Sequence, residues 1–256
     1  MRNNALPFTG ATLVLGIFAA FLRWVQNMGL YDEATGLARR GAGISYVLLF
    51  YALLCAVAFA ALTVIWLRRC RCPAETAEAL RSPGILPVVV TWLCAAVYVA
   101  GALLLLFAVP GEGSSRLRRV FAAAAIFGGL CFPFLPQQGG QASSVSRTAA
   151  AVLPLVSAFA LVYFYMSGAR EEPTLWRTAP EALALAAAAL GFLGVGGFLF
   201  GVPRPRLTLF SLQLAAFFSI GISFDSHGAW RTAMFAALAG MCLLLEWLIV
   251  YNLKER

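Results

Sequence analysis

Charged side chains are scarce in this chain, and lysine is almost missing. Charged residues make up 12% of the 256 residues, against about 25% in soluble globular proteins. Lys254 is the only lysine, and it follows the last apolar run. A retinal-type Schiff base needs a lysine within a helix, so the sequence excludes a retinal protein. Apolar residues instead reach 61%, and an excess of this size has to face lipid.

Residues that bind metals or carry catalysis are also few. His227 is the only histidine, so no site with several histidine ligands can form. Cys70 and Cys72 form a C-x-C pair at a predicted surface, but without other ligands nearby they are two short of a zinc site. The other four cysteines lie inside apolar runs and are interpreted as small apolar side chains: Cys55, Cys94, Cys131 and Cys242. The sequence predicts no metal, no cofactor and no enzymatic activity.

The apolar residues are gathered into long runs that do not alternate with polar residues, as the strands of a β-barrel would. Most runs have the roughly 17 to 25 residues that a helix needs to cross a hydrocarbon core ~30 Å thick. We therefore predict an all-α membrane protein, a polytopic bundle of about eight transmembrane helices. The predicted spans are residues 7–22, 44–67, 84–109, 120–135, 149–167, 182–202, 207–224 and 233–251.

Two interpretations of the fourth run stay open. Its sixteen residues reach only ~24 Å, and Pro133 and Pro136 disturb its end. The segment either spans as a thin helix or is re-entrant, which would leave seven spans. We interpret it as spanning.

The predicted bundle divides into two halves that together form one integral membrane domain. Residues 1–136 carry helices one to four, residues 137–148 form a polar linker rich in Gln, Gly and Ser, and residues 149–256 carry helices five to eight. The sixth run is rich in glycine, and Gly197 and Gly201 have the GxxxG spacing that lets membrane helices pack closely.

The net charge of +8 comes from arginines between the apolar runs, where they meet lipid headgroups. The predicted partner is therefore the lipid bilayer, with other membrane subunits left open, and not nucleic acid. Ten basic residues lie on the side of the termini and nine on the other. The densest cluster, Arg68, Arg69 and Arg71, lies with the termini, so we predict that both termini are cytoplasmic.

Glu246 is the ionisable residue that lies deepest in a predicted span. It lies roughly 7 to 8 Å inside the eighth span, and Gln213 lies about 9 Å inside the seventh from the same side. Arg204 and Arg206 stand at the mouth of the seventh span. These four residues form the predicted intramembrane polar site. The carboxyl group either clasps helices seven and eight together or couples proton or substrate movement.

On the opposite side, two acidic segments are weaker candidates for a site. Asp225 and His227 lie between the last two spans, and Asp32 and Glu33 lie in the longest loop. We interpret both segments as exposed turns. Only their convergence on one cleft would favour an enzyme that acts on lipid.

Two short patches carry a resemblance to known sequences. They are residues 22–24 (Leu-Arg-Trp) with residues 29–37 (GLYDEATGL), and residues 201–206 (GVPRPR) before the seventh span. These patches resemble loops of uncharacterised multi-pass membrane proteins of anaerobic Gram-positive bacteria. The resemblance implies a bacterial cytoplasmic membrane and no particular chemistry.

Two functions follow as hypotheses. The first is a non-enzymatic interaction, assembly or sensing component of the membrane. The alternative is a transporter or permease-like protein with a pocket around Glu246 and Gln213. A water-accessible cavity that reaches these two residues would favour transport, whereas a tightly packed interface would favour the first hypothesis.

Overall fold

The computed structural model describes residues 5–30, 43–107, 115–137, 142–171, 175–224 and 228–255. Within these ranges, eight helices are long and apolar enough to cross a membrane, which confirms the predicted all-α polytopic bundle. The protein is a multi-pass membrane protein. The helices are α1 (Ala5–Leu30), α2 (Gly43–Arg69), α3 (Ile85–Phe107), α4 (Ser115–Cys131), α5 (Ser144–Glu171), α6 (Leu175–Leu199), α7 (Pro205–Ser223) and α8 (Ala229–Asn252).

The fourth helix differs most from its predicted bounds. It begins at Ser115 rather than at residue 120, because the basic segment before the apolar run is already helical. A 3₁₀ turn, Phe132–Phe134, continues it where Pro133 removes a backbone donor. The apolar stretch Arg116–Phe134 has 19 residues, which is long enough to span. The interpretation of the fourth run as a spanning helix is confirmed.

Because eight helices alternate in direction, α1 begins and α8 ends on one side of the bundle, which we call the terminal side. The segments on this side are held together by backbone pairing and by hydrogen bonds from one side chain. Strand β1 (Cys70–Arg71) pairs antiparallel with β2 (Lys254–Glu255). Asn252 Nδ2 donates to the carbonyl oxygens of Ala79, at 3.2 Å, and Arg81, at 2.8 Å. The opposite side is called the far side.

The helices are buried to very different extents. In an apolar 18-residue stretch of α8, 67% of the residues are buried, and the corresponding shares are 61% in α6 and α7 and only 17% in α2. The α8 helix packs against α3, α7 and α1, and α2 packs against α1 and α7. Large side chains of α2 such as Phe50 (68% exposed) and Val57 (69%) face outward. The core is therefore built around α6, α7 and α8, and α2 lies at the periphery.

Helices of the two predicted halves pack directly against each other, α1 on α7 and α3 on α8. The predicted linker also begins and ends in ordered structure. Gln137 is buried, and its backbone N–H donates to Leu80 O at 2.8 Å while its carbonyl accepts from the Ser82 N–H at 2.8 Å. Residues 144–148 form the beginning of α5. The interior of the linker, residues 138–141, lies outside the described residues.

Close packing of α6 on α7 depends on glycines other than the predicted GxxxG pair. A Cβ on Gly194 would clash with Thr208, and a Cβ on Gly191 would lie 2.9 Å from Leu212 Cδ2. Gly201 has a φ of +82°, lies beyond the end of α6 and would meet nothing within 4 Å. The pair at 197 and 201 is thus no helix interface, because Gly201 serves the turn into α7.

Candidate functional site: a buried polar cluster

Four polar side chains from four helices meet at one depth near the terminal side. They are Thr12 of α1, Thr63 of α2, Gln213 of α7 and Glu246 of α8. Each lies six to eight residues from the terminal-side end of its helix, which at 1.5 Å per residue places all four about 9 to 12 Å inside. Their exposed fractions are 0% for Thr12, Gln213 and Glu246 and 2% for Thr63. We call this group the polar cluster.

Hydrogen bonds join the polar cluster into one chain. Thr12 Oγ1 donates to Glu246 Oε1 at 3.0 Å, and Gln213 Nε2 donates to the same oxygen at 3.4 Å. Thr63 Oγ1 in turn donates to Gln213 Oε1 at 3.0 Å. The second carboxyl oxygen, Glu246 Oε2, is buried without a hydrogen-bond partner among the described residues. The sequence predicted that Gln213 and Glu246 lie at nearly one depth on neighbouring helices, and they are in contact. It did not predict that Thr12 and Thr63 join them.

The expected arginines do not join this cluster. Arg204 and Arg206 are both exposed, and Arg204 is the residue directly before α7. Nine residues separate it from Gln213, about 13 Å along a helix axis. Pro205 and Arg206 are the first two residues of α7, at the end of the helix farthest from the middle of the membrane. Among the described residues, the partners of Glu246 are therefore uncharged donors, and the site is a hydrogen-bonded cluster rather than an ion pair.

The polar cluster connects helices that are distant in sequence. The bond from Thr12 to Glu246 joins residues 234 positions apart, and the bond from Thr63 to Gln213 joins residues 150 positions apart. Helix association in lipid has no hydrophobic driving force, so packing and hydrogen bonds between helices carry it. The cluster thus fastens the peripheral pair α1 and α2 to α7 and α8.

The described part of the chain contains no cluster of possible metal ligands. No group of three His, Cys, Asp or Glu side chains there is close enough to hold a metal ion. The weak candidates on the far side, Asp32, Glu33, Asp225 and His227, all lie outside the described residues. Their predicted roles as exposed turns, or as parts of one cleft, stay predictions.

A second charged contact lies near the far side. Arg231 Nη1 of α8 is 3.7 Å from Glu181 Oε1 of α6, and both side chains are largely buried. The guanidinium carbon of Arg231 also lies 5.1 Å from the Trp230 ring and 5.7 Å from the Phe164 ring. Sequence reasoning missed Glu181 because it directly precedes the predicted sixth span, whereas the helix begins six residues earlier, at Leu175.

A third buried polar group surrounds Arg23 of α1. Its Nη1 donates to Gln26 Oε1 at 2.6 Å, and Gln26 Nε2 donates to Ser45 Oγ of α2 at 2.9 Å. All three side chains are buried. Nothing in the sequence indicated this group, because the partner of Gln26 lies on a different helix.

Arg23 also lines a cleft of about 300 Å³ between α1, α2, α6 and α7. The remaining lining residues are apolar, and neither Glu246 nor Gln213 is among them. The cleft and the polar cluster are therefore separate features, the first toward the far side and the second toward the terminal side.

Comparisons with known proteins identify no relative of the chain. No model of a known protein family matches the chain, and neither a curated protein nor a solved structure matches it.

Proposed function

We propose that this multi-pass protein is a non-enzymatic component of a bacterial cytoplasmic membrane that acts by associating with other membrane molecules, in assembly or sensing. The observation that carries this proposal is that the side chains of the polar cluster are buried and bonded to one another. Glu246 is fully buried and hydrogen-bonded to uncharged neighbours. In this arrangement its carboxyl group serves as a clasp between helices.

The transporter alternative requires a path for water or solute to the carboxyl group. Ionisable residues that couple transport face a cavity or a relay of further ionisable groups. Glu246 and Gln213 both have an exposed fraction of 0%, and the cleft at Arg23 does not include them. These facts favour association over transport.

Water access to the polar cluster tests this proposal. Single-cysteine variants Thr12→Cys and Thr63→Cys, made without the native cysteines, keep side chains close in size to threonine. We expect no reaction with a charged methanethiosulfonate reagent added to both faces of membrane vesicles, because both positions are sealed. An Arg204→Cys variant, at an exposed position, should react and serves as the control. Reaction at position 12 or 63 from either face would refute the proposal and favour a transporter.

The proposed location of both termini in the cytoplasm rests on the basic cluster around residues 68–71 and on the basic pair Lys254 and Arg256, which lie on the same side. Cys72 is the reporter for this orientation, since Cys70, two residues before it, is buried and Cys72 is half-buried. This corrects the expectation that both cysteines of the pair lie at a surface. We expect a membrane-impermeant maleimide to label the protein only after the cells are permeabilised, and a Cys72→Ser variant to remove the labelling. Labelling of intact cells would place the termini outside.

The labelling should depend on pH. Burial raises the pKa of the Cys72 thiol above its ordinary value, and the thiolate is the reacting form. Near neutral pH the reaction should therefore be slower than with a free thiol, and its rate should rise as the pH is raised through 9. Rates measured in permeabilised cells at several pH values, with a small free thiol as reference, check this. An equal rate for both thiols at pH 7 would contradict it.

A further inference from the structure

The arginines of the terminal side are exposed to the surroundings of the protein. Six of them have exposed side chains: Arg68, Arg69, Arg81, Arg147, Arg204 and Arg206. None of the six forms an ion pair within the described part of the chain. Glu78 on this side pairs instead with Lys254, at 3.4 Å. We call the six residues the terminal-side arginines.

The described arginines of the far side are mostly engaged within the protein. Arg23 is 3% exposed and hydrogen-bonded, and Arg231 lies in the buried contact with an acid. Arg118 and Arg119 also have interaction partners, and Arg116 is exposed. Among the described residues, the positive charge that is open to the surroundings therefore lies mainly on the terminal side.

The acidic residues strengthen this difference between the two sides. The numbers of basic residues are nearly equal, ten on the terminal side and nine on the far side. Of the 11 acidic residues, however, seven belong to the far side and four to the terminal side, and one of these four is the buried Glu246. The far side is thus close to balanced, whereas the terminal side has a clear excess of positive charge.

The terminal-side arginines lie at the level of the lipid headgroups. Each is within four residues of the end of a membrane helix, a distance of about 6 Å along a helix axis. They belong to α2, α5, the beginning of α7 and the segment before α3. Since α2 packs against α1 and α7, whereas α5 packs against α4 and α6, these arginines are distributed around the bundle. One compact ligand would meet a few of them, whereas the surrounding leaflet meets them all.

The chemistry of arginine determines which lipid fits. A guanidinium group is planar, weakly hydrated and matched to the oxygens of a phosphate. Each basic side chain near a membrane surface adds to the attraction for anionic lipids, over a range of about 10 Å. A zwitterionic lipid carries a compensating ammonium group and no net charge. The charge of the terminal side is therefore complementary to anionic phospholipids.

We propose that the terminal-side arginines form a binding surface for anionic phospholipids, which collect in the leaflet around this end of the bundle and not around the far side. This preference goes beyond the proposed association and does not rest on it, because it follows from exposed charge alone. It also holds whichever side faces the cytoplasm, since it can be measured in vesicles with the same lipids in both leaflets.

Two exposed tryptophans report on the two leaflets. Trp92 of α3 is 55% exposed and lies seven residues from the terminal-side end of its helix, and Trp24 of α1 is 48% exposed and lies six residues from the far-side end. Both are thus about 9 to 11 Å inside the membrane, from opposite sides. Variants that keep only one of these tryptophans, with phenylalanine at the other five positions, are placed in dioleoyl phosphatidylcholine vesicles. Brominated phosphatidylglycerol or brominated phosphatidylcholine then quenches the fluorescence.

The ratio of the quenching by the two brominated lipids measures the preference beside each tryptophan. We expect phosphatidylglycerol to be preferred about fivefold at Trp92, the effect of roughly one arginine near the surface, and less than about twofold at Trp24. Raising the salt concentration should lower the ratio at Trp92. Equal quenching by both lipids at Trp92, or a ratio at Trp24 that matches or exceeds it, would overturn the proposal.

Two exposed arginines provide a matched pair of variants. Arg81 is on the terminal side, four residues before α3, and Arg116 is on the far side, at the beginning of α4. Arg81→Gln should lower the preference for phosphatidylglycerol at Trp92, and Arg116→Gln should leave it unchanged. Equal losses from both variants would show that total charge matters and not the terminal side, against the proposal.

The unaltered protein guards against variants that fail to fold. Native mass spectrometry in a neutral detergent counts the lipids that stay bound when dioleoyl phosphatidylglycerol and dioleoyl phosphatidylcholine, which share their acyl chains, are supplied in equal amounts. We expect more phosphatidylglycerol than phosphatidylcholine to stay bound. Equal numbers of the two lipids would contradict a surface that selects anionic headgroups.

Discussion

Replacing Gly194 with alanine should destabilise the protein by about 1 to 3 kcal/mol, the usual cost of overfilling a packed site. The new Cβ would lie 2.9 Å from Thr208 Cβ and closer still to its hydroxyl. Rotation of the threonine moves its hydroxyl but cannot move its Cβ, so α6 and α7 must separate. The free energy of unfolding in mixed detergent micelles measures this cost.

Gly191 provides the control on the same pair of helices. There the obstructing atom is Leu212 Cδ2, 2.9 Å from the added Cβ, and the end of a leucine side chain can move aside. Alanine also favours the helix by up to ~1 kcal/mol over glycine. We therefore expect Gly191→Ala to be neutral or slightly stabilising. Equal losses for the two variants would mean that the close approach at Gly194 has no special weight.

Replacing Glu246 with leucine should also cost about 1 to 3 kcal/mol. Leucine accepts no hydrogen bond, so Thr12 and Gln213 lose their shared acceptor inside the membrane. Hydrogen bonds between membrane helices contribute about 0.6 kcal/mol on average and up to ~1.7 kcal/mol, and two of them end on Glu246 Oε1. Glu246→Gln keeps a carbonyl oxygen in place and should cost well under ~1 kcal/mol.

The same micelle assay distinguishes a clasp from a functional carboxyl group. If Glu246 serves as a clasp, Thr12→Val should destabilise the protein. Its effect should be non-additive with that of Glu246→Leu, because both variants remove the hydrogen bond between Thr12 and Glu246. Additive losses would show that the Thr12 bond contributes nothing. A Glu246→Gln variant as unstable as Glu246→Leu would show that the carboxyl group itself is needed, against the clasp.

The sequence predicted the number and approximate positions of the helices because hydrocarbon thickness imposes a minimum length on each apolar run. It also predicted that Gln213 and Glu246 lie at nearly one depth, since each lies a similar number of residues from the terminal-side end of its helix and the two helices are antiparallel neighbours. Thr12 and Thr63 gave no such signal. A threonine in an apolar run is ordinary, and its partner is set by which distant helix packs beside it.

The contacts of the α6 glycines and the cleft at Arg23 were likewise not predictable from the sequence. Whether Gly191, Gly194 or Gly201 faces α7 depends on how α6 is rotated about its axis, and spacing alone does not fix that rotation. The cleft at Arg23 has walls from four helices and exists only once they are packed. Features within one helix or across one turn were predictable, whereas features shared by distant helices were not.

The long sequence separation within the polar cluster has a consequence for biosynthesis. Thr12 enters the membrane 234 residues before its partner Glu246, a delay of roughly 12 to 47 s at the usual rates of translation. During that time the Thr12 hydroxyl group lacks the acceptor that it has in the finished protein, whereas the acceptor of Thr63 on α7 is made 150 residues after Thr63. The contact of α1 with α8 through Thr12 and Glu246 can therefore form only after α8 has entered the membrane.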